Sequence, residues 1–178
     1  FSEGTILDEI SETDWHGGMM FDVDNDGDLD HLSLTGGSSA NIFFENNDGS
    51  FSYENTAVSY GLDCDGCVGR SPGLIDANND GFLDVLLSNL DENDESTGPR
   101  LFLNQANQSF SDSSEDYGLE WEEATFSVSS DLIGDGSLNV LYLRGRPFIT
   151  TLVDGNFQDA LELPISNNFD FQVEDLNG

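Results

Sequence analysis

Carboxylates are concentrated in one short stretch of the chain. Residues 22–30 read Asp-Val-Asp-Asn-Asp-Gly-Asp-Leu-Asp, which places five aspartates in nine positions around Gly27. Like charges this close repel one another unless a cation lies among them. Oxygen ligands at alternate positions, with a glycine for the sharp turn, suit a hard divalent ion such as calcium. The stretch is therefore a candidate metal-binding loop.

The loop recurs along the chain. Alignment on the glycine gives a second copy at residues 76–84, a third at 131–139 and the beginning of a fourth at 175. The starting positions are thus separated by 44 to 55 residues. A period of this length, with turn residues in every unit, indicates a repeat architecture.

The segments around the loops predict their secondary structure. An apolar run follows each complete loop, and a pair of aromatic segments joined by a turn then follows; in the first unit these lie at 29–34, 41–45 and 51–53. Short β-favouring runs bounded by Gly, Asn and Asp are typical of strands joined by hairpins. The run Val85-Leu86-Leu87 does not alternate, which predicts an inner strand with both faces buried.

Each unit therefore offers four strands, one before the loop, one after it and a following hairpin. Four-stranded sheets repeated radially form a β-propeller, so we expect an all-β propeller fold with about three complete blades and partial blades at both ends. A β-sandwich and an open β-solenoid are the alternatives. Propellers have about four to eight blades, so we expect either a segment of a longer chain or a ring completed by another copy.

The predicted units have the following boundaries. Residues 1–16 are an outer strand of a preceding blade and a linker, in which His16 would be a loop residue. Residues 17–60 and 61–119 are blades with the first and second loops, 120–163 a blade with the third loop, and 164–178 the truncated start of a further blade.

The repeat pattern resembles a known family. An apolar strand, Asp-x-Asp/Asn-x-Asp-Gly-x-x-Asp, a second apolar strand and an Asn-rich hairpin ending in Gly-x-Phe are similar to the FG-GAP/VCBS-type repeats. Those repeats build seven-bladed propellers in integrin alpha subunits and in many secreted bacterial and archaeal proteins. In that family the side chains at loop positions one, three, five and nine, with the carbonyl at position seven, bind calcium.

The resemblance implies two calcium sites in this chain. The implied ligands of the first loop are Asp22, Asp24, Asp26, Asp30 and the carbonyl of Asp28. Those of the second loop are Asp76, Asn78, Asp80, Asp84 and the carbonyl of Phe82.

The third loop departs from the pattern. Ile133 offers no side-chain ligand at position three, and Asn139 replaces the carboxylate at position nine. Asp131 and Asp135 remain, with Ser137 at position seven. Calcium affinity follows ligand charge and number, so we expect a metal-free turn or a weakly occupied site.

An EF-hand and an ordinary polar turn are the alternatives for these loops. An EF-hand needs a bidentate Glu at position twelve, where this chain has Ser33 and Leu87, and it also needs flanking helices. Ordinary polar turns are a common role for Asp, Asn and Gly. Two near-complete copies in register with predicted strands favour metal binding.

The charge of the chain restricts its partners. There are 36 acidic and 4 basic residues, a formal net charge of −32. Phosphate contacts need Lys or Arg, so the composition excludes nucleic acid and anionic membranes as direct partners. Such charge also disfavours folding at low ionic strength through self-repulsion.

The two cysteines, Cys64 and Cys67, are separated by two residues. A zinc site would need two further ligands, and His16 and His31 are the only histidines in the sequence that could supply them. We therefore favour the ordinary alternative, a small disulfide of a secreted protein. Asn107 begins an N-glycosylation pattern, Asn-Gln-Ser.

No catalytic motif stands out, so we do not expect an enzyme. The predicted function is a calcium-stabilised extracellular propeller segment that serves as a binding, adhesion or structural scaffold. Its partner would be a protein, a glycan or further copies of the chain. The alternative is the propeller portion of a secreted carbohydrate-active enzyme or a lectin, with Trp15 or Trp121 lining a glycan pocket.

Overall fold

The computed structural model describes residues 15–36, 40–52, 54–64, 67–91, 99–106, 109–119, 126–143 and 146–164. The predicted outer strand near residue 1, the fourth loop, Asn107 and Trp121 lie outside these residues. The described elements are β1 (Trp15–Phe21), β2 (Asp30–Thr35), β3 (Ile42–Phe44), β4 (Asn46–Asn47), β5 (Ser50–Phe51), α1 (Ala57–Tyr60), β6 (Cys67–Ile75), β7 (Asp84–Asp91), β8 (Arg100–Asn104), β9 (Phe110–Asp112), β10 (Phe126–Ser130), β11 (Leu138–Leu143), β12 (Pro147–Val153), β13 (Asn156–Phe157) and β14 (Leu161–Glu162).

The strands form antiparallel sheets in chain order. The first sheet is β1-β2-β3, the second β6-β7-β8-β9, and the third β10-β11-β12-β13 with β14 also paired to β12. The second sheet has the four-strand order that the sequence predicts. The fold is therefore all-β, as expected, and none of the described sheets is closed.

The first unit differs slightly from the prediction. Its outer hairpin, β4-β5, is a separate two-stranded sheet, because the ladder of β3 is interrupted at Glu45. The N–H of Ser52 donates to the carbonyl of Glu45 at 2.7 Å, so the hairpin still continues the line of β3. Its turn has positive φ at Asp48 and Gly49, as two-residue hairpins require.

Two hydrophobic cores lie between the three larger sheets, one between each neighbouring pair. The core between the first and second sheets contains Phe21, Leu32, Leu34, Phe43, Val85, Leu87, Phe102 and Phe110. The core between the second and third sheets contains Ile75, Leu86, Leu101, Val140 and Phe157. Because β7 contributes to both cores, residues 85–87 are fully buried, which confirms the prediction of an inner strand.

Strand β1 begins earlier than the sequence suggested. Trp15 pairs with Thr35, so His16 is a strand residue rather than part of a linker. The His16 ring lies 3.1 Å from the carbonyl of Gly69 and contacts the guanidinium of Arg70. A Cβ at position 17 would lie 2.7 Å from the Arg70 carbonyl, so glycine there allows β1 to approach β6.

A Tyr-Gly-Leu element recurs before the next sheet in the first and second units, and the sequence reasoning missed it. Residues 60–62 end α1, where Gly61 has φ +73° and the N–H of Leu62 donates to the carbonyl of Ala57. Residues 117–119 repeat the pattern, with φ +72° at Gly118. The repeated tripeptide could have predicted this element, since glycine with positive φ commonly ends a helical turn.

Candidate metal centres

The three loops occupy equivalent places in the three sheets. Each connects the first strand of a sheet to the second. Asn25 Nδ2 of the first loop donates to the Gly81 carbonyl of the second at 3.3 Å. Ser129, just before the third loop, donates to the carbonyl of Leu74, just before the second. The loops therefore lie side by side at one end of the stacked sheets.

The loops share one backbone conformation. Position six has positive φ at Gly27 (+95°), Gly81 (+87°) and Gly136 (+84°). Position four also has positive φ, at Asn25 (+61°), Asn79 (+58°) and Gly134 (+74°). Asn and Gly tolerate this region best. The sequence reasoning missed position four, although an Asn or Gly stands there in every loop.

The aspartate at position one closes each turn. Asp22 accepts the N–H groups of Asp26 and Gly27 at 3.1 and 2.9 Å. Asp76 accepts those of Asp80 and Gly81, both at 3.1 Å. Asp131 accepts those of Gly134, Asp135 and Gly136 at 2.7, 3.2 and 2.8 Å. Position one therefore has a structural role in all three loops.

The buried residue at position nine braces the loop against the sheet. Asp30, 2% exposed, accepts the N–H of Val23 at one oxygen and that of Asn46 at the other, both at 2.8 Å. Asp84 makes the same two bonds, also at 2.8 Å, with Ala77 and Asn104. Each carboxylate oxygen can accept more than one bond, so both aspartates keep capacity for a cation.

Asn139 retains half of this brace in the third loop. Its Oδ1 accepts the N–H of Leu132 at 2.8 Å, and its Nδ2 donates to the Thr151 hydroxyl at 3.0 Å. The exposed Ile133 side chain at position three offers no ligand. Asp135 accepts the N–H of Ser137 at 2.8 Å, and hydrogen bonds from that serine lower the pKa of Asp135. This loop thus keeps the turn with fewer carboxylates.

The first loop brings three carboxylates together. Asp22, Asp24 and Asp30 each offer an oxygen, and these three oxygens lie within 4.8 Å of one another. Calcium bonds oxygen at about 2.3–2.6 Å, so an ion among the three oxygens could contact all of them. Asp26 is exposed at the loop tip and accepts the N–H of Asp28 at 2.8 Å. The donor set therefore fits a hard divalent cation.

The second loop forms the same turn with an amide at position three, but among the described residues its aspartates do not form a cluster of three carboxylates like that of the first loop. Asn78 accepts the N–H of Asp80 at 3.0 Å and donates from Nδ2 to the Asp80 carboxylate at 2.9 Å. Asp80 also accepts the N–H of Phe82 at 2.8 Å. Position three thus offers a neutral ligand, so this site carries less charge than the first.

The electrostatics of both loops favour a cation. Burial raises the pKa of Asp30, against two backbone hydrogen bonds, and the charges of Asp24 and Asp26 raise it further. Burial likewise raises the pKa of Asp84 to about 6, and the charges of Asp80 and Asp76 add to the effect. A bound cation would stabilise the ionised form of each carboxylate.

The tyrosine of each Tyr-Gly-Leu element lies beside the loop of its own unit. Burial raises the pKa of Tyr60, and the charges of Glu45, Asp30 and Asp24 contribute. Burial also raises the pKa of Tyr117, and the charges of Asp84, Asp80 and Asp116 contribute. The repeated element therefore belongs to the surroundings of the loops.

The cysteines and His31 are further candidate ligands from the sequence. Cys64 is disulfide-bonded, and Cys67 is the other cysteine of the sequence. His31 stacks on Phe44 with ring centroids 6.2 Å apart and contacts the Ser33 hydroxyl through Nε2 at 3.2 Å. These contacts give His31 a structural role.

Comparison with known proteins identifies part of the chain. A family model described as an FG-GAP-like repeat matches residues 22–87, which include the first and second loops. No curated protein matches the chain significantly. Within the described residues, no helix is long and apolar enough to cross a membrane. Repeats of this family are typically non-catalytic binding or structural modules. The chain therefore contains an FG-GAP-type repeat across residues 22–87.

Proposed function

We propose that this chain is a calcium-stabilised β-propeller segment that serves as a binding or structural scaffold outside the cell. The observation that carries the proposal is the convergence of Asp22, Asp24 and Asp30, with Asp30 buried at the start of β2. The stacking of antiparallel sheets around two shared cores supports blades of a propeller.

Calcium would act as a cross-link between consecutive strands. In the first loop it would be held by Asp22, Asp24, Asp26, Asp30 and the carbonyl of Asp28. In the second it would be held by Asp76, Asn78, Asp80, Asp84 and the carbonyl of Phe82. The ion would offset the mutual repulsion of the loop carboxylates and fix the end of one strand to the start of the next.

The expected gain in stability is large for a chain of this size. At a free calcium concentration 100-fold above the dissociation constant, each site adds about 2.7 kcal/mol to the free energy of unfolding. Typical domains have a margin of about 5–15 kcal/mol. Two occupied sites would therefore supply a substantial share of the margin.

Charge and redox chemistry support the proposed location and partners. The disulfide at Cys64 supports an oxidising, extracellular setting. A net charge of −32 favours a protein or glycan partner, or further copies bridged by calcium, over nucleic acid.

Thermal unfolding tests the proposal. Melting is followed in chelator, in excess calcium and in excess magnesium, all at one ionic strength so that general charge screening is constant. We expect calcium to raise the midpoint well above the value in chelator, and magnesium to raise it less. A midpoint that calcium leaves unchanged would reject calcium stabilisation.

A further inference from the structure

Asn104 joins the first and second loops by hydrogen bonds. This residue ends β8 and is 1% exposed. Its backbone N–H donates to Asp84 of the second loop at 2.8 Å, and its Nδ2 donates to the Val23 carbonyl of the first loop at 2.8 Å. Val23 in turn donates its N–H to Asp30 at 2.8 Å. The two ninth-position carboxylates are thus connected through two residues, Asn104 and Val23.

The orientation of the Asn104 amide is fixed from both sides. Its Oδ1 accepts the N–H of Ala106 at 2.9 Å, and its Nδ2 also lies 3.4 Å from the carbonyl of Leu83. A buried amide held in this way cannot turn without losing bonds, and each lost buried bond is costly. A shift of the Val23 carbonyl therefore either breaks a bond or moves Asn104.

A second contact joins the same two loops. Asn25, at position four of the first loop, donates from Nδ2 to the carbonyl of Gly81, at position six of the second, at 3.3 Å. Both residues have positive φ. The two loops are thus joined at two points, one buried and one exposed.

We propose that Asn104 couples the two loops, so that calcium bound in one raises the affinity of the other for calcium. The inference rests on the proposed function and concerns the regulation of its sites. An ion in the first loop fixes Asp22 and Asp24, and therefore the backbone of Val23 between them. The ordered Val23 carbonyl holds Asn104, which holds Asp84, so part of the ordering cost of the second site is already met. The effect is reciprocal by thermodynamic linkage.

The neighbouring sheets supply matched comparisons. Asn46 is the counterpart of Asn104 in the first sheet, with its N–H on Asp30 at 2.8 Å and its Nδ2 on the carbonyl of Leu29 at 3.1 Å, both within its own unit. In the third sheet the residue in register with Asn104 is Leu152, because Asn104 pairs with Phe110 as Leu152 pairs with Phe157. The third sheet thus has no amide at this position, and threonine, which is favoured in strands, is the substitution that removes the amide from Asn104.

The experiment is a thermodynamic cycle on the full chain, read by calorimetric calcium titration. Asp24→Ala disables the first loop and leaves the N–H of Asp26 with Asp22 as an acceptor. In the presence of Asn104, we expect Asp24→Ala to lower the calcium affinity of the second loop about fivefold, the low end of typical coupling. In an Asn104→Thr background the same change should lower it less than about twofold. An Asn46→Thr background should retain the full effect.

Asn25→Gly keeps the positive φ and removes the exposed contact, so it provides a second variant for the same cycle. We expect it to reduce the coupling in part. The coupling would be overturned if Asp24→Ala changed the calcium affinity of the second loop equally with and without Asn104 and Asn25. That result would leave the proposed function intact. A wild-type chain that takes up no calcium would overturn both.

Discussion

At the scale of single residues, the first and third loops form the same turn but differ in the carboxylates that a metal ion could use. Asp26 and Asp135 both occupy position five, and each accepts an N–H from position seven at 2.8 Å. Their neighbours differ, because the first loop clusters Asp22, Asp24 and Asp30 whereas the third has Ile133 and Asn139. The two residues therefore form a matched pair that differs in the proposed metal ligation.

The first prediction compares alanine at these two positions. In calcium, Asp26→Ala should lower the melting midpoint more than Asp135→Ala, because only the first change removes a proposed ligand from a complete site. In chelator Asp135→Ala should cost at least as much stability as Asp26→Ala, because Asp135 also accepts a side-chain hydrogen bond from Ser137 whereas Asp26 repels Asp30. Equal effects in calcium, measured by thermal unfolding, would show that the two loops do not differ in metal binding.

The second prediction concerns pH. Burial raises the pKa of Asp84 from 3.8 to about 6 in the folded chain, so the folded state binds this proton more tightly. The resulting stability is fully present below the unfolded pKa and is lost as pH rises through the folded pKa. In chelator, this group should therefore reduce the free energy of unfolding by about 1 kcal/mol between about pH 5 and about pH 7.5.

Urea unfolding at the two pH values measures this contribution. Asp84→Asn removes the proton site, so the loss of stability between the two pH values should be smaller by that amount, whatever the absolute cost of the substitution. Asp159 is exposed, so Asp159→Asn is the control for charge removal and should keep the wild-type pH dependence. An unaltered pH dependence in Asp84→Asn would contradict the assignment.

At the scale of elements, the Tyr-Gly-Leu turns hold one unit against the next. A Cβ at Gly61 would lie 2.7 Å from the carbonyl of Phe110 in the second unit. At Gly118 the corresponding distance, to the carbonyl of Phe157, is 3.6 Å, an ordinary contact. The first turn therefore packs against the following sheet more closely than the second.

Alanine at these two glycines gives the third prediction. Both have nearly the same φ, +73° and +72°, so the backbone strain is matched at about 1–2 kcal/mol. Gly61→Ala should add an overpacking cost and destabilise by roughly 2–4 kcal/mol in total. Denaturant unfolding of Gly61→Ala and Gly118→Ala measures the difference. Equal losses would mean that the close approach is relieved at no cost.

The sequence predicts the elements better than their boundaries. The strands on either side of each loop, the hairpin turn at Asp48-Gly49 and the doubly buried run at residues 85–87 all follow from local composition and periodicity. The start of β1 at Trp15 does not, because it depends on pairing with Thr35 and on close packing against β6. Such contacts are between distant residues and leave no local pattern.

The candidate site was predicted in part, because some of its contacts also join residues that are distant in the sequence. Alternate aspartates around a glycine identified the ligand positions, and the structure brings Asp22, Asp24 and Asp30 together. The bonds from Asn46 and Asn104 to the ninth-position aspartates were not foreseen, since they join residues 16 and 20 positions apart. Calcium binding itself stays a prediction.

At the scale of the whole molecule, the shared cores explain how the sheets are combined. The second sheet lies between the first and third, and β7 contributes apolar side chains to both of its faces. The net charge of −32 opposes this compact arrangement. We infer that bound calcium offsets the repulsion where it is most concentrated, at the end of the stack where the loops lie side by side.

The most direct test is a crystal structure of the full chain grown in calcium, with anomalous scattering used to locate the ions. We expect one ion in the first loop, on Asp22, Asp24 and Asp30, and one in the second, on Asp76, Asp80 and Asp84. The third loop should be empty or weakly occupied. Anomalous maps without an ion in the first two loops at millimolar calcium would contradict calcium stabilisation of this fold.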